Sequence, residues 1–320
     1  MPLPTLTEGD QLAVVLEPLG LTPIGRPAPI GDEFGFASSR VRVTVVESGG
    51  DEHSVVVKVW EVADQGAAEV GFYESWAPRL PTRLPAYHGG YSTDQMAVIV
   101  LEDLGPVRQG DAEFPFEPPD LYSVARSLGL NHSSTAGLPS NLTLVGRPRS
   151  AEWHESRRAS YLERFGLPDR DAVRAIVRHS QVAERVGADL LAMSVPGLVH
   201  RDLHADNIVF LPDDTPVILD WSRPGWGSAA HDLASLLVDG AEPVDYPAGI
   251  EGFRSVADLS DDEIHGAFLR RLVTGTLGAA GWIPQTDRQR RLVAAGAARV
   301  EAAATWLAAR APGVVEGLAV

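Results

Sequence analysis

The 320-residue chain contains no cysteine and, among 27 basic residues, a single lysine, Lys58. The first absence excludes disulfides and thiolate metal sites. The second singles out position 58. Where arginine serves everywhere else, a lone lysine points to a place that needs a compact ammonium rather than a wide planar fork. Positive charge is scarce as a whole: 43 acidic residues leave a formal charge of −16. Such a surface repels nucleic acid and anionic membranes and favours cationic small molecules. No uncharged stretch reads as long enough to cross a bilayer. The opening Met-Pro-Leu-Pro-Thr-Leu-Thr-Glu-Gly-Asp has neither the basic region nor the apolar run of a secretion signal. The expectation is a cytoplasmic protein. Internal repeats and low-complexity segments are also lacking.

What is present falls into two regions. Residues 3–19 carry apolar residues at helical spacing, ending at Gly20. From there to about residue 104 the pattern is β-rich. Val41–Val46 alternates, Gly49-Gly50 turns, and Ser54–Trp60 forms a second strand, so the pair reads as a hairpin. Residues 62–79 read as a helix, and Leu84–Tyr91 and Met96–Leu101 as two further strands. After Gly105-Pro106 the pattern becomes helical, over 119–132, 151–165, 170–193, 228–239, 260–279 and 286–310. Three short apolar runs, Gly197–His200, Asn207–Leu211 and Pro216–Leu219, interrupt it. Segments 106–119 and 240–256 contain proline and glycine and read as loops. This order predicts an α+β chain with two lobes: residues 1–104, β-rich with a leading helix, and residues 105–320, α-rich.

The strongest chemical signal is Val199-His-Arg-Asp-Leu-His-Ala-Asp-Asn-Ile-Val-Phe210, followed by Val217-Ile-Leu-Asp-Trp221. Phosphoryl transfer needs a carboxylate to orient a hydroxyl and accept its proton, and oxygen ligands to hold Mg²⁺ on the phosphates. Asp202 and Asn207 share one polar loop between apolar runs, and Asp220 ends the next run. Unrelated loop acids would be the reading for a lone His-x-Asp; the full spacing argues against it.

These residues resemble the aminoglycoside phosphotransferase and choline kinase group of the protein-kinase-like fold, whose loops commonly read His-Gly-Asp-Leu-His-x-x-Asn before Ile-Asp-Trp. The resemblance implies Asp202 as catalytic base, Asn207 and Asp220 as Mg²⁺ ligands and His200 as a loop brace. Arg201 departs from the group's usual glycine. Trp221 after Asp220, with no long activation segment, separates the chain from protein kinases proper. By the same resemblance Lys58, in Val55-Val-Val-Lys58-Val-Trp60, binds the phosphates of ATP, with GTP as an alternative, held by Glu69 of the following helix. Glu74 is the fallback; it lies about 140° from Glu69 around the helix, so one of them faces Lys58. The loop Gly31–Ser39 sits where phosphates are covered, with Ser38 and Ser39 as contacts, and Glu102 to Leu104 of Ile99-Val-Leu-Glu-Asp-Leu104 would meet the adenine edge. Asp232 would brace the catalytic loop through its backbone.

The implied enzyme is a small-molecule kinase acting on a hydroxyl. Its acceptor is expected to be cationic or amino-bearing, such as an aminoglycoside-type antibiotic, because Asp232 to Glu263 holds nine acids against the single base Arg254. Ser260-Asp-Asp-Glu263 also reads as a capping box. A sugar or choline-like metabolic kinase, or a nucleotide-binding pseudokinase, are the alternatives.

Overall fold

The computed structural model describes residues 6, 9–30, 38–47, 49–60, 63–145, 147–279 and 281–316. The chain divides into two compact units: Met1–Arg108 with Leu211–Asp213 and Val217–Pro224, and Gln109–Phe210 with Asp214–Pro216 and Gly225–Val320. The first thus reaches beyond residues 1–104 to include the segment that carries Asp220.

In the first unit, α1 (Gly9–Leu16) precedes the strands β1 (Thr22–Pro29), β2 (Ser38–Val46) and β3 (Glu52–Trp60). The helix α2 (Ala63–Ser75) follows, then β4 (Tyr87–Ser92) and β5 (Ala97–Glu102). They form an antiparallel sheet in the order β1-β2-β3-β5-β4. Alternation sorts the two faces. Val41, Val43 and Val45 of β2, Val55, Val57 and Val59 of β3, and Val98 and Val100 of β5 share one apolar core with Leu12, Val15 and Leu16 of α1. The opposite face carries Lys58 and Trp60 of β3, paired with Ile99 and Ala97 of β5. There α2 packs so closely that a Cβ on Gly66 would lie 2.7 Å from Trp60 Cβ.

The second unit is mainly helical. The two-residue strand β6 (Arg108–Gln109) leads to α3 (Pro118–Thr135), α4 (Ala151–Phe165), α5 (Asp171–Arg178) and α6 (Ser180–Leu191). The short strands β7 (Gly197–Val199), β8 (Ile208–Phe210) and β10 (Gly225–Gly227) come next, with β9 (Pro216–Ile218) running between β8 and β10 in sequence into the first unit's segment Val217–Pro224. Then follow α7 (Ala230–Gly240), α8 (Tyr246–Arg254), α9 (Asp261–Ala279) and α10 (Asp287–Arg310). β7 and β10 pair antiparallel. α6 crosses α9 where Gly187 meets Gly266: a Cβ on either would fall 2.6–2.8 Å from the other's carbonyl oxygen. Ser150 caps α4 by accepting from the Trp153 amide, and Thr286 with Gln289 forms a capping box on α10.

Two expectations fail here. Residues 170–193 are two helices that meet at His179, whose φ of −117° and ψ of 29° are not helical. The buried stripe of Val173, Ile176, Val177, Ser180, Ala183 and Glu184 keeps its phase through the bend, so periodicity cannot detect it. Segment 240–256 is not all loop, because it contains α8. Its glycines are contact points: a Cβ on Gly249 would lie 2.7 Å from a Leu237 methyl, and one on Gly252 3.0 Å from the Tyr122 Cα.

α10 is long and apolar enough to cross a membrane by length and composition. Within its unit it is tied down by Arg299. That buried guanidinium donates to the carbonyls of Ala112 (2.8 Å), Asp239 (2.5 Å) and Glu113 (2.9 Å).

Candidate active site

Lys58 and Glu69 are 5% and 1% exposed, and such charges persist away from water only when paired. Lys58 Nζ lies 2.9 Å from Glu69 Oε2 and 3.0 Å from Asp220 Oδ1. It also stands 4.0 Å from the centre of the Trp60 ring, whose Nε1 donates to Glu69 Oε2 at 2.8 Å. Glu74 is elsewhere on α2 and accepts from the Tyr87 hydroxyl at 3.3 Å. Asp220 reaches Lys58 because the next residue, Trp221, stacks flat on Phe72 of α2, with centroids 4.2 Å apart and planes at 4°. The turn requires Asp220 to adopt φ 61°, a left-handed conformation that aspartate tolerates better than most residues. Burial, then the charges of Glu69 and Asp220, push the neighbouring Tyr73 hydroxyl well above its ordinary pKa.

One ammonium against two carboxylates leaves this cluster with a net charge of −1. That imbalance, together with the carboxylate oxygens of Asp220, fits a hard divalent cation.

In the second unit, β7 delivers the loop that begins at His200. Asp232, near the start of α7, accepts from the backbone amides of His200 (2.5 Å) and Arg201 (3.0 Å). Burial raises its carboxyl pKa, against the lowering pull of those amides and of the Arg201 charge. His200 Nδ1 accepts from the Asp202 amide at 3.3 Å. Asn207 donates through Nδ2 to the Asp202 carbonyl at 3.0 Å, with His204 Nε2 also 3.0 Å away. The amide orientation leaves Asn207 Oδ1 as an acceptor, the kind of oxygen Mg²⁺ takes. The half-buried Asp202 side chain shares this loop.

Arg201 has φ 70°, which accounts for the glycine common at this place in the resembling sequences. Its side chain crosses Gly225, where any Cβ would overlap it and would also lie 2.5 Å from Val145 Cγ2.

The other expected contacts divide. Residues 31–37 of the phosphate-covering loop lie outside the described residues; Ser38 and Ser39 open β2, and Ser39 is exposed. Both Glu102 carboxylate oxygens take Arg83 Nη2 at 2.6 Å, and one also accepts from the Ala86 amide at 2.9 Å. The Glu102 side chain is therefore engaged, and the amides of Glu102 and Asp103 donate to the carbonyls of Ala86 (2.8 Å) and Ser54 (3.4 Å). Asp103 is likewise taken up by Arg42 and Ser54.

A network around Asp206 was invisible to motif reading. Asp206 Oδ1 accepts from the Ala112 amide at 2.9 Å and from Arg288 of α10 at 3.4 Å, while Arg288 also reaches Asp111 at 3.4 Å. Its partners are 94 and 82 residues away in sequence, so no local pattern marks it.

The sequence profile of the family described as "APH: Phosphotransferase enzyme family" matches residues 33–255. No curated protein matches the chain. Solved structures do. An aminoglycoside phosphotransferase from Alicyclobacillus acidocaldarius is 16% identical with a TM-score of 0.60, covering 89% of this chain and 92% of that one. A choline kinase from Streptococcus pneumoniae is 12% identical, TM-score 0.56, covering 91% and 99%. A spectinomycin phosphotransferase in complex with ADP and spectinomycin is 14% identical, TM-score 0.57, covering 92% and 99%.

Proposed function

Since the chain belongs to the phosphotransferase enzyme family, with a protein-kinase-like fold, we propose that it transfers the terminal phosphoryl group of ATP, or GTP, to a hydroxyl of a small molecule. The observation that carries this reading is the buried Lys58 ammonium between Glu69 and Asp220. A fixed point charge of this kind anchors nucleotide phosphates. ADP in the spectinomycin phosphotransferase supports the choice of nucleotide.

In this reading Asp220 and Asn207 hold Mg²⁺, which when bound neutralises charge on the phosphates. Lys58 orients the phosphates, and Glu69 keeps its ammonium in place. Asp202 accepts the proton of the attacking hydroxyl, so the new O–P bond forms as the bond to the nucleoside diphosphate breaks. The backbone that presents Asp202 is held by Asp232 and His200.

For the acceptor, the similar structures range from aminoglycosides to choline, and the acidic stretch after the catalytic loop favours a cationic or amino-bearing alcohol. Part of that stretch is occupied internally. Asp239 pairs with Arg271, Asp261 with Arg254 at 2.7 Å, and Glu263 exchanges capping hydrogen bonds with Ser260. Among the described residues, Glu242 and Asp245 have no arginine partner, and the electrostatic case rests on them. A matched panel of aminated and neutral polyols, assayed at low and high salt, tests it. Aminated acceptors should react faster, with an advantage that shrinks as salt rises. Faster reaction of neutral polyols at every salt concentration would overturn the cationic assignment. The kinase assignment is tested separately by calorimetry: nucleotide binding should tighten with Mg²⁺, and its absence at millimolar nucleotide would remove the reading.

A further inference from the structure

Three potential metal ligands of the first unit meet on the face of the sheet turned away from Lys58. His53 lies on β3 in phase with the buried Val55, Val57 and Val59. His88 lies on β4, at the irregularity between Tyr87 and Gly89. Glu47 begins the turn after β2, its amide donating to the Asp51 carbonyl at 3.1 Å and its carbonyl accepting from the Gly50 amide at 2.9 Å. β5 separates β3 from β4, but its last pair with β3 is Val55 with Glu102. The three ligands therefore gather just past the point where that pairing ends.

Glu47 Oε1 lies 3.4 Å from His53 Nε2 and 3.6 Å from His88 Nδ1, and the three ligand atoms are all within 4.8 Å of one another. A tetrahedral ion with bonds of about 2.0–2.1 Å separates its ligand atoms by roughly 3.3–3.4 Å, so two of the edges are already near the required length. The imidazoles stack with centroids 4.6 Å apart and planes at 25°. A further observation points to a ligand: His53 Nε2 is sealed from solvent and, although Glu47 Oε1 lies 3.4 Å away, forms no hydrogen bond among the described residues. Such a nitrogen carries a cost that a metal bond would remove. The Glu47 side chain is 46% exposed, which keeps one side open to water.

We propose that Glu47, His53 and His88 form a second metal site, selective for a borderline divalent ion with zinc first, and completed by water. Two imidazoles and one carboxylate suit zinc, cobalt, nickel or copper, whereas Mg²⁺ prefers oxygen ligands in an octahedron. The site is therefore distinct in chemistry from the nucleotide's Mg²⁺, and it stands whether or not the phosphotransfer reading does. Bound metal would tie the β2–β3 turn to β4 across the end of β5.

The test is a Co²⁺ titration of the full chain in millimolar Mg²⁺, read by visible absorption, followed by Zn²⁺ displacement and Zn²⁺ calorimetry. One ion per chain should bind with a low-coordinate cobalt spectrum, and Zn²⁺ should raise the melting temperature. His53→Ala and His88→Ala should each weaken binding by about 100-fold, and Glu47→Gln by about tenfold, with His265→Ala unchanged. Binding that survives both histidine variants would place the ion elsewhere and overturn the proposal. So would no saturable binding, or melting that responds at these residues to pH but not to Zn²⁺. The latter result would identify a proton-linked His–Glu cluster instead.

Discussion

At Lys58 a substitution that keeps the charge still changes the chemistry. A guanidinium is longer and planar, and here it would have to fit between Glu69 and Asp220 and over Trp60. Lys58→Arg should lower kcat/KM by about tenfold or more, a loss of about 1.4 kcal/mol in transition-state stabilisation. Steady-state kinetics against the wild type checks this, and unchanged kinetics would make the lone lysine an accident of composition. Asp202→Asn should lower kcat by about 10²–10⁴-fold while leaving nucleotide affinity in place, because it removes the proposed proton acceptor but not the proposed metal ligands. Single-turnover rates and nucleotide calorimetry separate the two effects. Lys58 was legible in the sequence because its residue type is unique there; helical phase showed that one of Glu69 and Glu74 faces it, and the family resemblance chose Glu69. The left-handed Arg201 and Asp220 were not legible. A φ above zero leaves no periodic trace when the residue is not glycine, and each costs about 1–2 kcal/mol that the surrounding contacts must offset.

Between elements, close approach reverses ordinary propensity. Alanine is favoured over glycine inside a helix by about 1 kcal/mol, yet Gly66→Ala on α2 would drive a Cβ into Trp60 and Ala97. The expected result is a net loss of about 1–3 kcal/mol. It should come with reduced kcat/KM, because α2 also carries Glu69. Chemical denaturation and kinetics report the two effects, and a stabilised variant would show that α2 can shift freely. α10 touches the proposed catalytic loop from far along the chain. Arg288→Ala removes its bond to Asp206 and should lower kcat several-fold, roughly 1 kcal/mol, at nearly constant nucleotide affinity, with partial recovery in Arg288→Lys. The elements themselves read unevenly from sequence. The β2–β3 hairpin was marked by alternation around Gly49-Gly50, and α4 by its periodicity. α8 was hidden by glycines that serve packing, and the bend at His179 by an unbroken buried stripe.

For the whole molecule, acid stability has an identifiable contributor. Burial, then the charges of Arg270, Arg201 and Arg149, lower the His231 pKa to about 3. A histidine depressed in the folded state contributes fully above its unfolded value near 6.5, and that contribution is lost as pH falls toward 3. The loss should reach about 2 kcal/mol at pH 5. Denaturation midpoints between pH 7 and pH 5 should fall less steeply in His231→Gln than in the wild type. At this scale the two-part order, β-rich then helical, was legible from the change of period near residue 104. The assignment of Asp220's segment to the first unit was not, because it depends on packing against α2 rather than on chain order. The buried single lysine also makes the chain unusually simple to label. Apart from the amino terminus, the protein has one primary amine, and it lies where a nucleotide's phosphates are proposed to bind. An acyl-phosphate or aldehyde analogue of a nucleotide that modifies this protein can therefore add mass at one side chain only. Once the amino terminus has been blocked, the intact mass of the protein reads nucleotide-site occupancy without digestion or a radioactive tracer.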